Sequence, residues 1–358
     1  MKVLVYKRLV NFDLKSFVPF LCAGFAFVVG GVILSAAGVD PIKAYGVMLK
    51  GAFGTERGIS DVLLKTTSLL LLGLAVSVAF KCKIWNIGAE GQLYMGALGA
   101  ALIGITVIGA IPVLGIVATV AVGFAFGGSF GLIPAALKVR FGVNEIIVTV
   151  LLNFVVLLFI SFLLHGPIKG PGFNPYSPEI FQTSQLPIIL SHTRLHAGII
   201  IAALAAIAVY VLLWKTRIGF EIRSVGANIK AARYGGMSVS KSIFVIMGIS
   251  GGLAGVTGAI LVSGIYHQLL EGISPGYGFI AVIIALLGRQ HPAGVAVVAF
   301  LFAALMSGSE VTYRTLGIPS AFAETLQALV LIFVLIGELF TVYHTKRKSR
   351  SSAIPAQC

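Results

Sequence analysis

Charge is what this chain has least of. Only 11% of its 358 residues are Asp, Glu, Lys or Arg, and just twelve of those are acids, where a water-soluble domain carries roughly 25% charged residues. With 58% of the residues hydrophobic, too few polar side chains remain to cover a water-facing surface. That excludes a cytosolic enzyme, a secreted module and a disordered scaffold. Three cysteines, Cys22, Cys82 and Cys358, lie far apart without a C-x-x-C pair, so they indicate neither a disulfide framework nor a zinc site. Short strands of alternating apolar and polar residues are missing, which favours a helical bundle over an outer-membrane barrel. The sequence has no G-x-x-x-x-G-K-[S/T] with which to hold ATP in a P-loop and no H-E-x-x-H for zinc.

Long apolar runs are what the chain has in quantity. A membrane span needs about 20 mostly apolar residues. Ten such stretches lie near 17–37, 62–80, 87–106, 111–133, 146–165, 197–214, 243–263, 276–288, 292–307 and 321–341. The stretch 276–288 is short and the N-I-G-A-E-G beginning at Asn86 is polar, so each is a candidate discontinuous helix or re-entrant turn, and a count of eight spans stays open. The expected fold is an all-α polytopic membrane protein with a break near Asn86. Met1 to Lys15 is basic but leads into apolar sequence without a small-residue cleavage pattern, which reads as a retained first span.

The net charge of +14 is informative through its distribution. With the N-terminus in the cytoplasm, nineteen of the 26 bases fall on the cytoplasmic side; the other seven are Lys43, Lys50, Arg57, Lys65, Lys169, Arg194 and Arg314. That excess fits the positive-inside rule with both termini cytoplasmic. A basic tail over 346–358 then faces anionic lipid, not nucleic acid. Glycines at four-residue spacing, Gly123, Gly127 and Gly131, then Gly248 with Gly252 and Gly251 with Gly255, allow close backbone approach, and spans four and seven are expected to be buried in the bundle.

Polar residues inside apolar sequence are the candidate functional groups. Lys81 to Gln92 puts Asn86, Glu90 and Gln92 there. Glu90 either sits in the first turn of a span, where the helix dipole and unpaired N–H groups favour a carboxylate, or belongs to a broken helix that lines a solute pathway. Asn153, in the middle of span five, either bonds helix to helix or lines the same pathway. Glu324 and Glu338, at the two ends of the last span, read as interfacial. His192 and His196 have metal-ligand spacing but no third ligand, so they read as interfacial residues and no metal site is assigned. The loop from Gly166 to Leu195, rich in Pro and Gly and carrying Lys169, Glu179 and Arg194, offers a surface to an external partner. Between Lys215 and Lys241 the chain is too polar for the membrane. There Asn228 can cap a short helix through Arg233 that Gly235 and Gly236 terminate, forming a knob suited to a partner's groove.

The motifs N-I-G-A-E-G-Q (Asn86–Gln92), F-G-V-N-E-I-I-V-T (Phe141–Thr149) with L-L-N (Leu151–Asn153), H-G-P-I-K (His165–Lys169), G-F-E-I-R-S-V-G-A-N (Gly219–Asn228), A-A-R-Y-G-G (Ala231–Gly236) and A-L-L-G-R-Q-H-P-A-G (Ala285–Gly294) resemble, in order and over most of the chain, the permease subunits of bacterial ABC importers of the nucleoside and simple-sugar, branched-chain amino acid-like permease family. The full N-I-G-A-E-G-Q looks more like the nucleoside branch than the ribose or galactose type. One departure is Ile280, where the family pattern suggests an acidic residue after G-Y-G-F. The resemblance implies a permease domain over 1–345 in the bacterial inner membrane. It implies a second, distinct permease chain, separate ATP-binding subunits that hold the ATP and magnesium, an extracytoplasmic binding protein, and no cofactor or catalysis in this chain. It further implies that Glu221, Arg223, Gly226, Asn228, Ala231, Arg233 and Gly235, in the loop 215–241, couple to the ATPase. Asn86, Glu90, Gln92 and Asn153 are the expected pathway residues. An ATP-independent secondary transporter is the rival class, and it would have Glu90 alone as an intramembrane carboxylate.

Overall fold

A computed structural model describes residues 14–319, 321–322, 324–334 and 336–337. The tail over 346–358, Glu338, Cys358 and the bases Lys2, Lys7 and Arg8 lie outside the described residues. Among the described residues the regular elements are helices: α1 (Leu14–Ala36), α2 (Pro41–Phe53), α3 (Glu56–Lys81), α4 (Ala89–Gly104), α5 (Leu114–Phe141), α6 (Glu145–His165), α7 (Gly198–Lys215), α8 (Arg217–Ala227), α9 (Ile229–Tyr234), α10 (Val239–Ile260), α11 (Tyr277–Leu287), α12 (Pro292–Leu316) and α13 (Glu324–Val334). A single π-helical stretch, Leu261–Tyr266, prolongs α10. No strand forms among the described residues, which contain only isolated bridges.

Local chemistry sets the ends of these helices. Thr55, Asn144, Thr216, Asn228 and Ser238 each accept a backbone N–H in the first turn of the helix they precede. Gly142, at φ +68°, closes α5 in the left-handed region that glycine adopts without a Cβ penalty. In A-A-G-V-D-P, Gly38 ends α1 at φ +78°, the Asp40 carboxylate accepts the N–H of Ile42 at 2.9 Å, and Pro41 starts α2. Gly24–Ala36 and Pro41–Phe53 are therefore bent by 118° to each other.

Helices lie within the ten expected stretches as far as these fall among the described residues, but the expected count of ten spans is not confirmed. Six helices, α3, α5, α6, α7, α10 with its π-stretch, and α12, are long and apolar enough to cross a membrane, and the bent α1–α2 pair makes seven. The chain is thus a multi-pass membrane protein. α4 and α11 have only 16 and 11 residues, about 24 and 16 Å at 1.5 Å per residue, against roughly 30 Å of hydrocarbon.

Two compact units divide the chain, residues 52–307 and the two ends, up to 51 and from 308. In the end unit, Leu34, Ala44 and Ile318 form a small core, and the Tyr45 hydroxyl donates to the Phe27 carbonyl at 2.7 Å. In the larger unit, α3 and α10 are central, with 89% and 83% of their apolar windows buried, whereas α5 reaches 28%. The expectation that span four is buried is therefore corrected. α5 buries one stripe, including Gly123, Gly127 and Gly131, against α10 and leaves its other faces exposed, because a line of glycines specifies a single contact face.

Close backbone approach holds α4, α5 and α10 together. A Cβ on Gly258 of α10 would collide with the Leu93 carbonyl and stand 2.6 Å from the Ala97 nitrogen of α4. Gly258→Ala is expected to lower stability by about 1–3 kcal/mol through forced separation of the two helices. Gly46→Ala, on α2 with nothing within 4 Å of the new methyl, is expected to leave stability unchanged or raise it by up to about 1 kcal/mol. Thermal unfolding of the detergent-solubilised protein compares the two, and equal melting points would refute the packing argument.

Candidate functional site

Between α3 and α4 the chain is non-helical for the seven residues 82–88, yet Ile84, Asn86 and Gly88 are buried. Backbone polar groups away from water need partners inside the protein, and the local sequence supplies them. Asn86 Oδ1 accepts the N–H of Gly88 at 3.0 Å, a turn the side chain makes with its own backbone. Asn86 Nδ2 donates to Gln92 Oε1 and to Ser250 Oγ, both at 2.8 Å, and Gln92 Nε2 donates back to Asn86 Oδ1 at 3.2 Å. The Ser250 hydroxyl passes the chain of bonds to the Ala75 carbonyl at 2.7 Å. One asparagine thus ties α3, α4 and α10 to the break.

α6 braces the same segment from another side. Its buried residues Glu145, Thr149 and Asn153 follow one another at four-residue intervals and so share a face. Asn153 Oδ1 accepts the Gly91 N–H at 2.8 Å and its Nδ2 donates to the Ile87 carbonyl at 2.9 Å. Thr149 is close enough to Gly88 that a Cβ there would stand 3.1 Å from the Thr149 Cβ. Glu145 accepts the Trp85 N–H at 3.4 Å and pairs with Lys138 at 2.5 Å across the α5–α6 turn.

Glu90, only 3% exposed, occupies the first turn of α4 and accepts the Gly278 N–H of α11 at 2.6 Å. Ser274 and Gly276 hydrogen-bond to it as well. A Cβ on Gly278 would run into the Glu90 backbone, so α4 and α11 meet at their N-terminal ends with one carboxylate between two helix dipoles. Asn86, Glu90, Gln92 and Asn153 are therefore brought into one buried, hydrogen-bonded polar cluster. Sequence reading missed Ser250, Ser274, Glu145 and Thr149. The four-residue spacing of Glu145, Thr149 and Asn153 was a visible signal for two of them; the serines have none.

At the same C-terminal end of α3, beside the non-helical segment, lie the residues named for coupling. The Asn228 carboxamide accepts the N–H of Lys230 at 3.0 Å and of Ala231 at 3.1 Å, starting α9, and Gly235 with Gly236 ends it. Ile222, Val225 and Ala232 are buried beneath α8 and α9, while Asn228, Ile229, Ala231, Arg233, Tyr234 and Gly235 are exposed. Tyr234 is 93% exposed. Glu221 and Arg223 are half-buried, and Arg223 Nε donates to the Gly219 carbonyl at 3.4 Å. Gly226 packs directly on the Lys81 carbonyl and Cys82, where a Cβ would clash. α8 therefore rests on the first residues of the non-helical segment that carries Asn86.

On the opposite face, residues 170–186 bond to the chain after α10. The Ser177 and Ile180 N–H groups donate to the carbonyls of Leu269 and His267, both at 2.9 Å, and Leu186 N–H donates to that of Ser263 at 2.8 Å. A cleft of about 390 Å³ lined by Phe173, Asn174, Tyr176, Glu179 and Gln268 opens there. His192 and His196 do not share a helix: His192 is exposed at φ +70° and His196 is buried. No group of three or more metal-ligating side chains occurs among the described residues.

The family described as the permease component of the branched-chain amino acid transport system matches residues 58–335. The glucose ABC transporter permease protein TsgB13 of Haloferax volcanii is 37% identical over 91% of this chain and 88% of its own. The guanosine ABC transporter permease protein NupP of Bacillus subtilis is 32% identical over 88% and 92%, and the nucleoside ABC transporter permease protein NupB of Lactococcus lactis is 29% identical over 94% of each. In each of these organisms a second permease protein, TsgC13, NupQ or NupC, matches too, over a smaller share of this chain. No solved structure matches the chain.

Asn153→Ala would leave the Gly91 N–H and the Ile87 carbonyl buried without partners, at about 1–3 kcal/mol for each group. Leu151→Ala, at an exposed position two residues earlier on the same helix, is expected to change stability by about 0.5 kcal/mol or less. Melting points of the two purified variants test this, and an unchanged Asn153→Ala would mean that the bond to α6 is not needed to hold the break.

Proposed function

The chain belongs to the branched-chain amino acid transport system permease component family, and on that premise we propose that it forms one half of the membrane pathway of an ABC importer for nucleosides. The observation that carries the importer reading is the seating of Gly226 on Lys81 and Cys82. It gives a push on the exposed α8–α9 surface a direct mechanical route to the cluster around Asn86 and Glu90. ATP hydrolysis is assigned to separate cytoplasmic subunits, because this sequence has no P-loop. Tyr234 and Ile229, apolar and exposed beside Arg233, suit a groove on such a subunit.

In this reading Asn86, Glu90, Gln92 and Asn153 act on the pathway by fixing the N-terminal ends of α4 and α11, two partial helices that enter the bilayer from opposite sides of the break, so that ten segments contribute to the transmembrane part. Both termini face the cytoplasm of a bacterial cell, and the 170–186 face receives solute from an extracytoplasmic binding protein. Alternating access follows when the α8–α9 surface moves and the helices bound to the cluster move with it. A second permease chain completes the core, a reading supported by the paired permease proteins of Haloferax volcanii, Bacillus subtilis and Lactococcus lactis.

Nucleosides are neutral and amphipathic, which suits a pathway whose polar groups are amides and one carboxylate already held by N–H donors. The N-I-G-A-E-G-Q motif and the Bacillus and Lactococcus relatives support that solute. A simple sugar is the second reading, favoured by the Haloferax relative. Uptake of labelled guanosine and of glucose by cells lacking this chain, with the partner proteins intact, separates them. Loss of guanosine uptake alone is expected, and loss of glucose uptake alone would keep the importer and overturn the solute. Replacing Asn228 and Arg233 together by Ala is expected to abolish uptake while the protein stays in the membrane at its normal level; normal uptake by that variant would remove the coupling role.

A further inference from the structure

His196 stands immediately before α7 and is 1% exposed. Its ring lies between two glycines: a Cβ on Gly198 would stand 2.6 Å from its Cε1, and one on Gly264, in the π-helical stretch, 2.6 Å from its Cδ2 and Nε2. The Gly198 N–H donates to its Nδ1 at 3.1 Å, so Nδ1 is an acceptor and the ring is the neutral tautomer with its proton on Nε2. Nε2 has no hydrogen-bond partner. His267, at the end of the π-stretch and with the uncommon φ of +56°, likewise has a buried Nδ1 with no partner. π-helical turns and strained residues together mark places where a fold holds a functional conformation.

The arm that carries His196 is closed by few bonds. Ile188 and His196 form an isolated antiparallel bridge. The Ile189 N–H donates to the Leu195 carbonyl at 2.7 Å, the Ala197 N–H to the Pro187 carbonyl at 2.9 Å and the Leu186 N–H to the Ser263 carbonyl at 2.8 Å. Protonating His196 would put a second N–H on Nδ1 against the Gly198 N–H, two donors facing each other. A charged imidazole could then be satisfied only by leaving its seat, and the arm would leave with it.

We propose that His196 is a proton-binding site that releases the arm 186–197 from the π-helical stretch of α10 in acid, opening the face opposite α8 and α9. The elements packed around the ring carry these titratable groups: Tyr266 on the π-stretch, His267 and Glu271 after it, and His192 and Arg194 on the arm itself. α7 brings Tyr210 and Lys215 only at its far end. Glu271 is engaged with His165 at 3.5 Å, and His267 is the neighbour whose charge bears on His196. Burial, then the His267 charge, push the His196 imidazole down from 6.5 to about 4. A folded value below the free one means that protons bind the open form more tightly, so closure is complete above about pH 6.5 and weakens as pH falls towards 4. For an arm whose opening restores the ordinary value, opening is about 70-fold more favourable at pH 4.5 than at pH 7.5.

Hydrogen–deuterium exchange on the full chain in lipid nanodiscs, corrected for the intrinsic pH dependence of exchange, tests this. The amide of Leu186, the arm residue bonded to the Ser263 carbonyl of the π-stretch, is expected to lose protection by about 70-fold between pH 7.5 and 4.5, while those of Ile189 and Ala197, bonded within the arm, report whether the arm leaves as a unit. The amides of Ser177 and Phe181, bonded to Leu269 and Gly104, are expected to keep theirs. In His196→Gln the difference between the two pH values should vanish, and His267→Gln, which removes the second ring while leaving the first, should shift the midpoint of opening to higher pH. Protection of the arm that is independent of pH, equal loss at Ser177 and Phe181, or an unchanged pH response in His196→Gln would each overturn the proposal.

Discussion

Backbone amides and carbonyls that leave a helix inside an apolar medium must find partners within the protein, and the architecture of this chain turns on how it meets that demand at residues 82–88. Water is not at hand to do so, and each unpaired group would cost several kcal/mol in hydrocarbon. Asn86 answers for its own turn and reaches Gln92 and Ser250, Asn153 answers for Ile87 and Gly91, and Glu145 for Trp85. Because these partners sit on α4, α6 and α10, satisfying the break also fixes how those helices stand about it. The same reasoning accounts for Glu90, a buried carboxylate made tolerable by N–H groups at the start of α11 and by the favourable ends of two helix dipoles.

Such a polar cluster is useful only if its surroundings are tightly packed, and glycine provides that. α10 approaches α4 and α5 so closely that Cβ atoms on Gly255 and Gly258 would overlap backbone of the neighbouring helices. In lipid there is no hydrophobic gain from bringing helices together, so short backbone distances and the dispersion they allow supply the attraction. α3, buried along its apolar run, fills the centre, and α5 and α6 expose their large aliphatic residues outward.

The two ends of this core differ in kind. At the end of α3, α8 is fitted to Lys81 and Cys82 without space for a methyl group. At the other end the arm before α7 is held by a handful of bonds and by an imidazole seated between glycines.

The membrane setting, the helical class, the approximate position of each apolar segment and the helix cap at Asn228 were determined by the sequence alone, because apolar length and capping chemistry are local properties. So was the choice of Asn86, Glu90, Gln92 and Asn153 as unusual, since polar groups in apolar sequence stand out wherever the chain goes. What only the tertiary structure decided is which partners those groups have. Ser250 is 164 residues from Asn86 and Gly278 is 188 from Glu90, and no spacing rule reaches that far. The burial of α3 over α5, the short reach of α4 and α11, and the replacement of a His192–His196 pair by His196 and His267 were likewise set by packing between distant segments, where hydrogen-bond geometry and backbone contact distance, not local pattern, fix the outcome.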